Sequence, residues 1–250
     1  MIGLGDAAAL VLAGTAAGTI GTAGGVTSLV SYPALLAVGV PALPADVANI
    51  VAVVACWPGS AMVSRVELDG QRAWLQRWML LVAVGGALGA VLLLSTPHHL
   101  FARIVPVLVA LTAIGMLLQP RLSRWRAGRS HPTGLLLPVG LLAASIYNGY
   151  FGAGSGIMVL ALLLLATDSR MATANALKNM LIGAASIVSA AALVLFSHVE
   201  WSAVVPLSIG MFAGSLLGPR VARRLSADVL RRLVAGFGFA LAIVLWQRGA

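Results

Sequence analysis

Two apolar stretches in this sequence are too long to cross a membrane once and too interrupted to form one helix. Residues 7–40 carry no charged side chain and are broken by TIGTAGG at 19–25. Residues 133–167 repeat the pattern, broken by YFGAGSG at 150–156. A hydrocarbon core of about 30 Å takes about 20 helical residues, so each stretch must turn back within itself. Each is expected to split into two helices of about 14–17 residues, or roughly 21–26 Å at 1.5 Å per residue. Glycines at this density end helices and let the backbone take up irregular geometry. A membrane tolerates that only where protein shields the backbone from lipid. A re-entrant hairpin and a pair of short crossings both satisfy the pattern.

The membrane setting follows from charge. Of the 250 residues, 60% are hydrophobic and 9% are charged, against roughly 45–50% and 25% in soluble domains. Seven acidic and 16 basic residues cannot cover the surface of a soluble fold of this size, so most of that surface must face lipid. The net charge of +9 does not indicate nucleic acid, because no water-exposed domain is available to carry a basic patch. One cysteine, Cys56, excludes an intrachain disulfide. Residues 1–6 lack Lys and Arg, so the first apolar segment is expected to be retained rather than cleaved as a signal peptide.

Single spans are expected at 45–64, 77–95, 100–118, 202–219 and 227–246, with a longer and tilted one at 171–197. The two halves correspond. Gly21-Thr22-Ala23-Gly24-Gly25-Val26 matches Gly152-Ala153-Gly154-Ser155-Gly156-Ile157. Ala48-Asn49 recurs as Ala174-Asn175, Val66-Glu67 as Val199-Glu200, and Gly85-x3-Gly89 as Gly210-x3-Gly214. Their common order points to an internal duplication. The first repeat is expected over 1–118, a basic cytoplasmic linker over 119–132 and the second repeat over 133–250.

Arginine sets the orientation. Loops 65–77, 119–132, 168–170 and 218–225 hold eleven Arg, whereas the opposite set of loops and termini holds only Arg248. The positive-inside rule puts the first set in the cytoplasm, which leaves both termini in the periplasm and the repeats inverted. The expected fold is therefore an all-α polytopic membrane protein. It has two inverted repeats, each a broken or re-entrant helical hairpin followed by three transmembrane helices.

Inverted repeats with glycine-broken segments at matching positions direct attention to a site near the membrane midplane. Helices starting near Gly25 and Gly156 would aim unpaired N–H groups and positive dipole ends there, which favours an anion. The other reading of these glycines is close helix packing. Thr22, Thr27 and Ser28 flank the first break, while Tyr147, Asn148 and Tyr150 precede the second. The Tyr residues also suit an interfacial anchor. Lys178 is the only lysine. It lies about eight residues, or roughly 12 Å, into helix 171–197, with Asn175 and Asn179 on the same face. An ammonium at that depth either has a partner or polar cavity, or snorkels to the cytoplasmic headgroups. Asp46 and Asp168 sit at helix starts and read as caps. Cys56-Trp57-Pro58 reads as a kink or a packing irregularity, Arg231 and Arg232 as cytoplasmic anchors, and His98 and His99 as solvated loop residues.

GTIGTAGG, a proline-containing helix, ADVAN, YFGAGSG and ATANALKN in that order resemble the sulfite exporter TauE/SafE family over essentially the whole chain. The resemblance implies a permease of the bacterial inner membrane for small sulfur-containing anions such as sulfite or sulfonates. It carries the family's glycine-rich turns onto Gly21, Gly24, Gly25, Gly152, Gly154 and Gly156. It carries the polar position opening the next helix onto Asn49 and Asn175, where many relatives have Thr or Ser. With Thr22, Thr27, Ser28, Tyr150, Ser155, Lys178 and Asn179, these residues make up the expected substrate site.

No HExxH, GxSxG or paired intramembrane carboxylate supports an enzyme, and no GxxxxGK[ST] supports ATP-driven transport. No cofactor or metal is expected. The expected partners are a small anion and the lipid bilayer; a homo-oligomer is neither required nor excluded. An anion channel and a non-transporting accessory subunit remain as other readings. The topology is testable by cysteine accessibility. A single cysteine at position 126, with Cys56 replaced, is expected to react from the cytoplasmic side alone. Labelling from the periplasm would overturn the inverted arrangement.

Overall fold

The computed structural model describes residues 3–108 (apart from His98, Ala102 and Pro106), 134–167 and 170–222. The expected span 227–246, most of 100–118, the linker 119–132, and His98, Asp168, Arg231 and Arg232 lie outside the described residues. Within them the chain is helical, with no strand. The helices are α1 (Leu4–Gly24), α2 (Ser28–Ala37), α3 (Ala42–Val53), α4 (Cys56–Val63) and the single turn α5 (Arg65–Leu68). They continue as α6 (Arg72–Leu94), α7 (Leu136–Tyr150), α8 (Ser155–Ala166), α9 (Met171–Phe196) and α10 (Trp201–Ala222). Among the described residues, five units are long and apolar enough to cross a membrane: α1, α3 and α4 taken together, α6, α9 and α10. Large apolar side chains such as Leu12, Leu80, Leu195, Phe196 and Ile209 face outward, as a lipid-facing surface requires.

The breaks differ from expectation in one half. The second stretch divides into α7 and α8, of 15 and 12 residues, both short for a crossing. The first divides unequally into α1 with 21 residues and α2 with 10. Residues 19–24 stay helical, and the turn comes at Gly25, whose φ of 83° is left-handed. The glycines inside α1 serve packing instead, so they do not interrupt it. Downstream, α3 and α4 meet at a bend over Val54 and Ala55. Pro58 accounts for it: proline cannot donate to the carbonyl four residues back, and its ring crowds that carbonyl. Trp57 N donates to Val54 O, three residues back, at 3.1 Å, tightening the turn. The Cys56-Trp57-Pro58 reading as a kink is thus borne out.

Two further expectations need correction. Pro41 is the residue flanking the start of α3, so Asp46 lies beyond the first turn and caps nothing. For the same reason Asn49 lies two turns into α3 instead of opening it.

Helices pack across the halves through glycine. A Cβ added to Gly14 or Gly18 of α1 would strike the Leu207 or Met211 carbonyl oxygen of α10. Gly210 and Gly214 of α10 face the Val11 and Thr15 carbonyls of α1 in the same way, and Thr19 Oγ1 donates to Gly214 O at 3.2 Å. Gly85 and Gly89 of α6 approach Ser145 and Ile146 of α7, while Gly149 of α7 approaches Gly86 O. Ser189 Oγ of α9 donates to Gly86 O at 2.9 Å. Helices in lipid gain little from apolar burial, so close backbone contact of this kind supplies the cohesion. The two matched G-x3-G motifs therefore do one job: each seats the first helix of the opposite half.

Gly14→Ala is expected to lower stability by about 1–3 kcal/mol, because backbone atoms stand where the methyl must go. Gly5→Ala, with nothing within 4 Å of the added Cβ, is expected to be neutral. Unfolding curves of the purified variants in detergent compare the two.

Candidate functional site

The two breaks meet. A Cβ on Gly25 would stand 2.6 Å from the carbonyl carbon of Gly156 and 2.7 Å from the Ile157 nitrogen. One on Gly156 would stand 2.6 Å from the Gly25 Cα. The backbones of these two glycines, equivalent by sequence, are thus in direct contact. Gly152 and Gly154 are left-handed (φ 78° and 79°), and Gly154 immediately precedes α8.

Around this contact lies a cavity between the halves. The first break contributes Gly21, Thr22, Gly25, Thr27 and Ser28, and the second Asn148, Gly152, Ser155 and Gly156. The α3–α4 unit contributes Asn49, Ile50, Val53, Cys56, Trp57 and Ser60; α9 contributes Lys178, Asn179, Ile182, Gly183 and Ser186. Lys178 is the charged member of this wall, and no carboxylate is among its lining residues.

Four residues of the expected site are not on the wall. Gly24 ends α1, and Gly154 only sets the start of α8. Tyr150 is turned aside: its hydroxyl receives Thr96 Oγ1 at 3.4 Å, and its ring lies 6.1 Å from that of Phe101. Asn175 stands behind the wall, its Nδ2 donating to Thr22 O at 3.0 Å.

Hydrogen bonds tie each break to a long helix. Asn49 Nδ2 donates to Ser28 Oγ at 2.9 Å, and Ser31 Oγ donates to Asn49 Oδ1. In the other half Asn148 Nδ2 donates to Ser186 Oγ at 3.0 Å, and Ser155 Oγ donates to Asn148 Oδ1 at 2.8 Å. A buried amide with both ends bonded is rigid, because each unmade bond would leave a desolvated group.

The polar face of α9 turns on the end of α1. Lys178 Nζ donates to Gly21 O and Thr22 O at 3.3 and 3.4 Å, and Asn179 Nδ2 donates to Thr22 O at 3.1 Å. The last carbonyls of a helix have no partner within it and carry the negative end of its dipole. Asn175, Lys178 and Asn179, grouped on one face from their spacing, are thus brought together, with their donors directed to carbonyl oxygens. Lys178 is 1% exposed, so in this arrangement it does not reach the headgroups.

Sequence reading left Asn148, Cys56, Trp57, Ser60, Ile182, Gly183 and Ser186 out of the site, although a signal for several of them existed. The 126-residue offset from Asn49 to Asn175 also relates Val53 to Asn179, Cys56 to Ile182, Trp57 to Gly183 and Ser60 to Ser186. All eight of these partners line the cavity. Trp57 and Gly183 touch: a Cβ on Gly183 would fall within the indole ring. Trp57 Nε1 is buried without a hydrogen-bond partner.

The Sulfite exporter TauE/SafE family model matches residues 7–245. A "Probable membrane transporter protein" of Haemophilus influenzae is 28% identical over 249 residues, covering 96% of this chain and 94% of its own length. The "Probable membrane transporter protein ORF9" of Sinorhizobium sp is 26% identical over 238 residues, covering 94% and 90%. No solved structure matches the chain.

Asn148→Leu is expected to lower stability by about 1–3 kcal/mol, since it takes the amide from buried Ser186 on α9 and leaves Ser155 on α8 with Gly152 O alone. Unfolding of the detergent-solubilised variant measures this.

Proposed function

The chain belongs to the sulfite exporter TauE/SafE family, an assignment of membrane transporters rather than enzymes, and from that premise we propose a secondary transporter for small sulfur-containing anions. Sulfite and organosulfonates are the substrate class. The anion lies in the cavity between the two breaks, near the membrane midplane. The protein is an integral membrane protein of the bacterial inner membrane with periplasmic termini.

The cavity wall carries the proposal. It offers hydroxyls from Thr27, Ser28, Ser60 and Ser155, amides from Asn49 and Asn148, the Trp57 indole and Lys178, and it has no acid. An oxyanion needs donors and positive potential, and a carboxylate on the wall would oppose it. The one feature against an anion is the carbonyl end of α1. Lys178 bears on those carbonyls, so its charge offsets a negative dipole end of about half an electron and leaves the wall net positive.

Two inverted repeats are part of this reading, and two observations support them. The first helix of each half packs on the last long described helix of the other. Residues equivalent by repeat, Gly25 with Gly156 and Trp57 with Gly183, touch one another, as residues near a pseudo-twofold axis must. Rocking of one half against the other about this site gives alternating access. An anion channel would share the wall but bind no faster-saturating substrate, so saturable flux separates the two.

A thermal-shift screen of sulfite, sulfonates, thiosulfate, sulfate and small carboxylates tests the substrate class, followed by flux in proteoliposomes. Lys178→Met is expected to weaken binding of the preferred anion at least tenfold, or ~1.4 kcal/mol. Lys178→Arg retains part of it, because charge persists while geometry changes. Unchanged affinity in Lys178→Met sinks the electrostatic account, and a preference for carboxylates over every sulfur anion sinks the substrate class.

A further inference from the structure

Asp46 is enclosed and unused. Its side chain is 0% exposed, and neither carboxyl oxygen has a hydrogen-bond partner. An ionised carboxylate without a partner is among the least tolerable of buried groups, and even the neutral acid leaves an O–H donor idle. Ionisable groups persist inside membrane proteins chiefly where they exchange something.

Its place gives it a task. By spacings of three and four on α3, Asp46 shares a face with Asn49 and Ile50, which line the cavity, as does Val53 one turn further on. Asp46 thus stands one turn beyond the wall, toward the Ala42 end of the helix. Tyr32 of the adjacent α2 is buried, and its hydroxyl donates to Ala42 O, one turn before Asp46, at 3.4 Å. Ser31, beside Tyr32, donates to Asn49, which in turn donates to Ser28 on the wall. Bonded polar groups thus run from Ser31 through Asn49 to Ser28 on the wall, and Asp46 lies one turn from Asn49 on the same helix face. Few other charges face it. Among the described residues, α9 contributes Lys178, engaged with the Gly21 and Thr22 carbonyls. Helix α10 contains Arg220 alone, near its far end, and the turn before α10 carries the exposed His198 and the half-buried Glu200.

We infer that Asp46 is the proton site of this transporter: its carboxyl holds one proton while enclosed and releases it to water when α2 and α3 open. The step balances as a carboxylic acid giving a carboxylate and a hydrated proton, with no other bond made or broken. A carboxylate one turn from the anion would repel it, whereas the protonated acid does not, so proton and anion load together and move in the same direction. This coupling rests on the anion-transport reading above; the presence of the proton does not.

Infrared spectroscopy of the full-length protein in lipid tests the proton directly. At neutral pH the wild type is expected to show the carbonyl stretch of a protonated carboxylic acid, shifted in D2O and missing from Asp46→Asn. A spectrum unchanged by the substitution overturns the proposal. Proteoliposomes enclosing a pH dye test the coupling with methanesulfonate, which carries no proton of its own at neutral pH. Uptake by the wild type should acidify the interior, and Asp46→Asn should bind or take up the anion without acidification. Acidification that persists in Asp46→Asn, wild-type uptake without acidification, or uptake driven by a sodium gradient each overturn the coupling. If the wild type neither binds nor moves any sulfur anion, the transport reading fails, and the infrared result alone decides the proton site. Should Asp46→Asn fail to fold, Asp46→Glu must keep the acid band at a shifted frequency.

Discussion

The contact between Gly25 and Gly156 organises everything near it. In a bilayer, a broken helix exposes backbone that no water can satisfy, and it survives only inside protein. Here each break shelters the other. Because neither glycine has a Cβ, the two chains approach to backbone contact, and the short helices α2 and α8 begin from that point. The long helices then have to leave a space around it. Their own packing on glycine faces, α1 on α10 and α6 on α7, holds the frame tightly enough for the space to persist.

What fills the wall follows from the same constraint. Ending α1 inside the protein leaves Gly21 O capped by Gly25 N and Thr22 O to outside donors, and α9 answers with Asn175, Lys178 and Asn179. The lysine is therefore structural and electrostatic at once. Its donors satisfy the helix end, while its charge reaches the cavity over the same few ångströms. Asn49 and Asn148 act alike in the two halves, each clamping a break to a long helix by serine hydroxyls. Asp46 differs from all of these in having no such partner.

Much of this was legible from residue order. Apolar length and glycine placement located both breaks, and Pro58 announced the bend between α3 and α4. Spacing put Asn175, Lys178 and Asn179 on one face. The reading failed where tertiary contact decides. Glycines that look like a helix break at 19–24 instead belong to α1, which turns only at Gly25, while Gly21 lies against Thr27. Asp46 looked like a cap because helix starts are blurred in apolar sequence, and α3 begins at Ala42. Tyr150 adjoins the second break in sequence, but its ring turns toward Phe101. Trp57 and Ser186 carried no local signal at all; only comparing the halves at a fixed offset brings them forward.

That comparison has a consequence at Trp57 and Gly183. The two positions are counterparts, yet one bears the largest side chain available and the other bears none, and the first occupies the room the second vacates. In a duplicated carrier, a symmetric pair would make the outward-open and inward-open forms near mirror images of similar free energy. An indole anchored on one half and received by the other removes that degeneracy. On the alternating-access reading proposed above, opening toward one side would draw the ring out of its seat while opening toward the other would leave it in place, so the pair would give the carrier a resting side and unequal rate constants for its two half-cycles.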